Sequence, residues 1–139
     1  MRRLVIILSV LLPQLVLGQQ NLILNGGFEE YESCPPMDGQ WNLVLYWTSP
    51  NLLSSDYFHT CAPLSANYSA NVPANIVGWQ WPYEGEAYMG ITCFHKQVAE
   101  VREFIQTELT DSLITGIRYA VSFYASAADR FQYAISTLG

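Results

Sequence analysis

The stretch VGWQWPYEGEAY, residues 77–88, sets Trp79, Trp81 and Tyr83 two apart. On an extended backbone, residues at i, i+2 and i+4 share a side, so all three rings are expected to face one way. Flat aromatic faces stack on the apolar faces of sugar rings, and Glu84, Glu86 and Gln80 alongside can bond to hydroxyls. The chemistry this implies is glycan recognition. The competing reading packs the same rings into the protein, where they would close one end of a core.

Catalysis is less well supported. Glu84 and Glu86 are two apart and would face the same side of an extended chain, and glycoside hydrolysis needs a carboxylate pair. Turns of this composition are also common as solvated loops, so a glycosidase is kept only as a third reading. His59 and His95 show no metal-ligand spacing, and Asp56 lies three residues before His59 with no GxSxG elbow to complete a triad. Both histidines are expected to be structural, and the chain carries no enzyme signature.

A second candidate is NGGFEEYESCP, residues 25–35. An Asn-Gly-Gly turn after a short apolar run frees backbone carbonyls, and Glu29 adds a carboxylate two residues after Gly27. Calcium takes six to eight oxygens of that kind, so these two groups alone cannot hold it. A plain turn is the alternative. The stretch also contains Cys34, one of three cysteines with Cys61 and Cys93. Cys34 and Cys61 sit in polar, proline-flanked segments (SCPP and TCAP), whereas Cys93 lies in the apolar run ITCF. A Cys34–Cys61 disulfide is expected, with Cys93 a small buried hydrophobe. Three free thiols remain the alternative.

The elements that must position these groups follow from composition and pattern. Arg2 and Arg3 precede an apolar run from Leu4 to Leu17, with small Gly18 before Gln19 and Gln20. This reads as a secretory signal peptide over residues 1–18, cleaved after Gly18. A retained anchor is the alternative, but the run is shorter than a membrane span and Pro13 interrupts it. Residues 19–139 make one domain. They hold all 12 acidic residues but only 4 of the 6 basic ones, giving 4 − 12 = −8. Such a charge repels phosphate backbones, which argues against a nucleic-acid partner. Hydrophobic residues make up half the chain, so this part is expected to fold rather than remain disordered.

Turn residues recur at short intervals, and no sustained helical period follows the signal. Strands are expected at 21–24, 41–48, 87–94, 101–109, 118–126 and 131–137, with a long loop from Ser49 to Val77 that includes the aromatic patch DYFH. Residues 101–109 fit a strand or a short helix, and their β-branched and aromatic content favours strand. The clearest alternation is RYAVSFYAS, with Tyr119, Val121, Phe123 and Ala125 on one side. Asn67-Tyr68-Ser69 matches a glycosylation sequon. The sum is an all-β sandwich. The chain stops at Gly139 directly after a strand-like run, with fewer strands than the eight or so of a jelly roll, so the sandwich is expected to be incomplete at its C-terminus.

Several motifs together resemble a known family. NLILNGGFEE resembles the opening of carbohydrate-binding modules with the galactose-binding-like jelly-roll fold, and FIQTEL with LITGIRYAVSFYAS resembles their closing pattern. NGGFEEYESCP, SSDYFHTCA, VGWQWPYEGEAYMGI and VREFIQTEL are also similar to an N-terminal domain of exported Bacteroidetes proteins. Such proteins often continue into an outer-membrane protein A-like domain or a type IX secretion sorting domain. The resemblance implies a jelly-roll sandwich and a structural calcium ligated by the Gly27 carbonyl and the Glu29 carboxylate. A third ligand, an aspartate in the family, corresponds here to Ser136. No sugar-contacting residue carries over, because fold does not fix function.

The expectation is therefore a non-catalytic, exported binding module for glycan or cell-surface polymer, secreted or held at the outer membrane. Its ligand residues would be Trp79, Trp81, Tyr83, Glu84 and Glu86. The alternative from another class is a structural adhesion or spacer domain of a larger surface protein.

Overall fold

The computed structural model describes residues 20–51, 53–64, 70–95 and 101–131. Among them there is no α-helix. The regular structure is a 3-10 turn at Trp41–Leu43 and six short strands: β1 (Trp47–Thr48), β2 (Asp56–His59), β3 (Ala74–Asn75), β4 (Gly78–Trp79), β5 (Ala87–Gly90) and β6 (Gln106–Thr107). They pair antiparallel as β1–β6, β2–β5 and β3–β4, so the class is all-β. No helix among the described residues is long and apolar enough to cross a membrane.

The centre is the β2–β5 pair, with Tyr57 opposite Met89 and Phe58 opposite Tyr88. Successive side chains of a strand point to opposite faces. Phe58 therefore packs on one side with Ala62, Ala70 and Val72, while Tyr57 packs on the other with Val44 and Ala87. Tyr57 and Phe58 are both wholly buried. Enclosure of that kind stabilises by about 2–3 kcal/mol for each large side chain. Tyr31 and His59 join the Tyr57 face, their rings 4.5 Å apart.

The opening motif is a built loop. Asn25 adopts a left-handed φ of 49° and Phe28 one of 63°. The Asn25 side-chain amide donates to the carbonyls of Glu30 (2.8 Å) and Leu45 (3.0 Å), and its Oδ1 accepts the Glu30 N–H (2.9 Å). Its backbone carbonyl accepts the Trp47 indole N–H at 2.9 Å, and the Phe28 carbonyl accepts the Tyr57 hydroxyl at 3.0 Å. Asparagine tolerates the left-handed region because its side chain bonds locally, as it does here. Nearby, Cys34 and Cys61 form a disulfide with a Cα–Cα distance of 5.7 Å. It closes a loop of 27 residues' separation, a constraint of about 3–4 kcal/mol in the chain-entropy account.

The strand expectations need correction in several places. Residues 21–24 contribute only an isolated bridge, Ile23 to Leu109, and 101–109 contribute only β6 and that bridge. Within 41–48 the 3-10 turn breaks the alternation, so Val44 becomes the buried residue while Leu43, Leu45 and Trp47 are half-buried. The 87–94 strand ends at Gly90, and both Ile91 and Phe94 are exposed. The expected long loop instead holds β2 and β3, with β4 directly after it at Gly78–Trp79; DYFH is the best-buried strand among the described residues. Residues 118–126 are exposed and join no ladder among the described residues. Alternation encodes which side a residue faces, but a ladder also needs a neighbour to supply hydrogen bonds. Cys93 is half-buried rather than buried. The signal peptide, the sequon, Ser136 and all but the first residue of the 131–137 run lie outside the described residues.

Candidate functional site

The aromatic stretch is positioned by the β3–β4 hairpin, whose two-residue turn is Ile76-Val77. Its geometry is held from inside by Asn75, which is buried. Asn75 Oδ1 accepts the Val77 N–H at 3.1 Å, and the side-chain amide donates to the Asn71 carbonyl and to the Tyr88 hydroxyl. From outside, the Asp129 carboxylate accepts the Trp79 N–H at 2.9 Å, and the Arg130 N–H donates to the Val77 carbonyl at 3.1 Å. Gly78 has a φ of +151°, and a Cβ there would stand 2.8 Å from the Asp129 Cβ. Glycine is what lets residue 129 close onto the hairpin.

Trp79, Trp81 and Tyr83 are 59, 53 and 67% exposed. They do not form the single flat face expected of an extended run, because β4 ends at Trp79 and the two indoles meet edge to face. Their centroids are 6.0 Å apart and their planes 87° apart, which makes a corner rather than a platform. Tyr83 stacks on Tyr124, centroid to centroid 3.4 Å and 12° from parallel. A hydrogen bond with Tyr83 holds the Tyr124 phenol above its ordinary pKa range. The sequence did not place Tyr124 in this group; its alternation assigned it only to a strand face. Gln80 turns its amide onto the Trp81 carbonyl at 2.6 Å. Glu84 and Glu86 are exposed on the loop that follows.

The second sequence candidate is joined to the first. Glu29 Oε1 accepts the backbone N–H of Glu86 at 2.9 Å and of Ala87 at 3.1 Å, tying the opening loop to the start of β5. Gly85, directly before them, has a φ of +70°, and a Cβ there would run into the Glu29 carboxylate. Gly27 lies against the Glu29 side chain, whose Cγ is 3.5 Å from where a Cβ on Gly27 would sit. These are two oxygens of the six to eight that calcium takes, and no group of three or more His, Cys, Asp or Glu completes the set among the described residues.

His59 is buried, and its Nδ1 accepts the Cys61 N–H at 2.9 Å. That is a structural role beside the disulfide. Asp56, which the sequence weighed only as a triad partner of His59, has as its neighbour a second acid that the sequence did not single out, Glu103. Asp56 Oδ1 accepts the Gly39 N–H at 2.7 Å, and Glu103, which is buried, accepts the Thr92 N–H at 2.7 Å. Burial pushes the Asp56 carboxyl up to about 6, with Glu103 and Asp38 adding to the rise and the Gly39 bond opposing it. The Glu103 N–H in turn donates to the Thr92 carbonyl at 2.8 Å, so this acid splices two loop segments together. Comparison of the chain with protein-family models, with curated proteins and with solved structures finds no match.

Proposed function

We propose that this chain is a non-catalytic, exported module that binds glycan or cell-surface polymer through the Trp79–Tyr83 corner. The observation that supports it is the exposure of Trp79 and Trp81, each more than half open to solvent on a hairpin fixed by buried Asn75. Large aromatic side chains held open by a rigid scaffold are costly to hydrate and suited to stacking on sugar C–H faces. The Cys34–Cys61 disulfide accords with an oxidising compartment outside the cytosol.

The finer parts of the reading belong to the same proposal. They are a galactose-binding-like jelly-roll sandwich, a place in a larger surface protein of the Bacteroidetes kind, and attachment at the outer membrane; their support is the motif resemblance. A calcium ion at Gly27 and Glu29 would need further oxygens beyond the described residues. A melting temperature that rises with millimolar calcium and returns with chelator is the result that puts it there. The second reading, a structural spacer domain, draws on the Tyr83–Tyr124 stack, which is an internal contact. Affinity electrophoresis through gels holding soluble glucan, xylan or mannan separates the two. Retardation in at least one gel supports binding, and free migration in all of them leaves the spacer reading.

A further inference from the structure

The β1–β6 ladder forms one side of a cleft of about 510 Å³, far in sequence from the tryptophan corner. That volume falls within the range of small-ligand sites. Thr48 pairs with Gln106, so the two share a face of the ladder, and Glu108, just past the end of β6, lines the same cleft. Thr48, Gln106 and Glu108 are all exposed, and no hydrogen bond among the described residues engages the Gln106 side-chain amide or the Glu108 carboxylate. Tyr46 lines the same cleft and is 51% exposed.

Tyr46 also carries a backbone signature. Its φ is 71°, a left-handed value that costs a bulky non-glycine residue about 1–3 kcal/mol. The conformation is locked by Thr107, whose hydroxyl donates to the Tyr46 carbonyl at 2.8 Å. Strain held in place by a neighbouring side chain points to a function for what it positions. What it positions here is an aromatic ring at a cleft that also offers a hydroxyl, an amide and a carboxylate.

We propose that this cleft is a second saccharide-binding site, selective for neutral sugars. The Tyr46 ring supplies the stacking surface, while Gln106 both donates and accepts and Glu108 and Thr48 accept from ring hydroxyls. The Glu108 charge and the acidic balance of the chain disfavour uronate or sulfated sugars. The site shares no residue with the Trp79–Tyr83 corner, so one site can fail while the other holds.

Amide-detected NMR titration of the full chain tests it, with cellohexaose, xylohexaose and mannohexaose as neutral probes and a galacturonate hexamer as the acidic one. The expected result is saturable shifts at Thr48, Gln106 and Glu108 with a neutral probe, at least tenfold weaker with the acidic one. These shifts should persist in the Trp79→Ala/Trp81→Ala variant and vanish in Tyr46→Gly/Gln106→Ala. Glycine suits the left-handed position, so loss of binding there cannot be ascribed to a strained backbone. Glu108→Gln should narrow the gap between neutral and acidic probes. Shifts confined to the Trp79 and Trp81 signals, or cleft shifts unaltered in Tyr46→Gly/Gln106→Ala, overturn the cleft while leaving the tryptophan site standing. Cleft shifts without any at the tryptophans do the reverse. Absence of shifts at both overturns both.

Discussion

The carboxylate of Glu29 accepts the backbone N–H of Glu86 at 2.9 Å, across 57 positions of sequence. Through this bond and its neighbour to Ala87, the opening loop and the aromatic segment share one anchor. The turn that looked like a metal site therefore also decides where the Trp79–Tyr83 segment enters β5.

Removing the anchor is expected to cost about 1–2 kcal/mol. Hydrogen bonds to a charged acceptor are worth more than this when buried, and the exposure of Glu29 discounts them. Glu29→Ala should lower the urea midpoint without changing the m-value. Gly85→Ala should cost about as much or more, since it combines a left-handed φ with a clash against Glu29. In a double-mutant cycle the Gly85→Ala penalty should shrink on the Glu29→Ala background, because the clashing group is gone. Strict additivity would disprove the contact.

Asp56 makes stability depend on pH in a stated direction. Its folded carboxyl titrates near 6 and its unfolded one near 3.8, so between those values the folded state binds more protons. This contribution is fully favourable below about pH 4 and is lost as pH rises to about 6. Asp56→Asn keeps an acceptor for the Gly39 N–H and removes the ionisation. Its stability relative to wild type should rise between pH 4 and pH 7 by roughly 1–3 kcal/mol, at 1.36 kcal/mol per unit. Denaturant melts at the two pH values measure it, and a difference independent of pH would refute the assignment.

The disulfide gives a countable result. Thiol titration of the unreduced, denatured chain should find one thiol, Cys93, and reduction should release two more. Reduction should also lower stability by about 3–4 kcal/mol. Three thiols before reduction would contradict the bond.

How far the sequence disclosed this molecule varies with the range of the interaction. The cysteine pairing was legible because Cys34 and Cys61 sit in polar, proline-flanked turns. DYFH was not read as a strand, since Tyr57 and Phe58 are buried on opposite faces and so show no apolar–polar alternation. RYAVSFYAS has the alternation and lacks a ladder among the described residues. At the site, the sequence named Trp79, Trp81 and Tyr83 but assumed an extended chain. The perpendicular indoles arise because the strand ends at Trp79. Tyr124 and Asp129 reach the same region through long-range contacts that no local pattern encodes. The strained Tyr46 was likewise invisible, since the Thr107 hydroxyl that holds its carbonyl comes from 61 residues away.

The central claim is that the exposed indoles bind glycan rather than support the fold. The most direct measurement is the affinity of the Trp79→Ala/Trp81→Ala variant for whichever glycan retards the wild-type chain, read together with its melting curve. The account expects at least a tenfold loss of affinity at the tryptophan corner, about 1.4 kcal/mol. It expects stability to stay within about 0.5 kcal/mol of wild type, as for most surface substitutions. Unchanged affinity at that corner, or a collapsed melting transition, would contradict it.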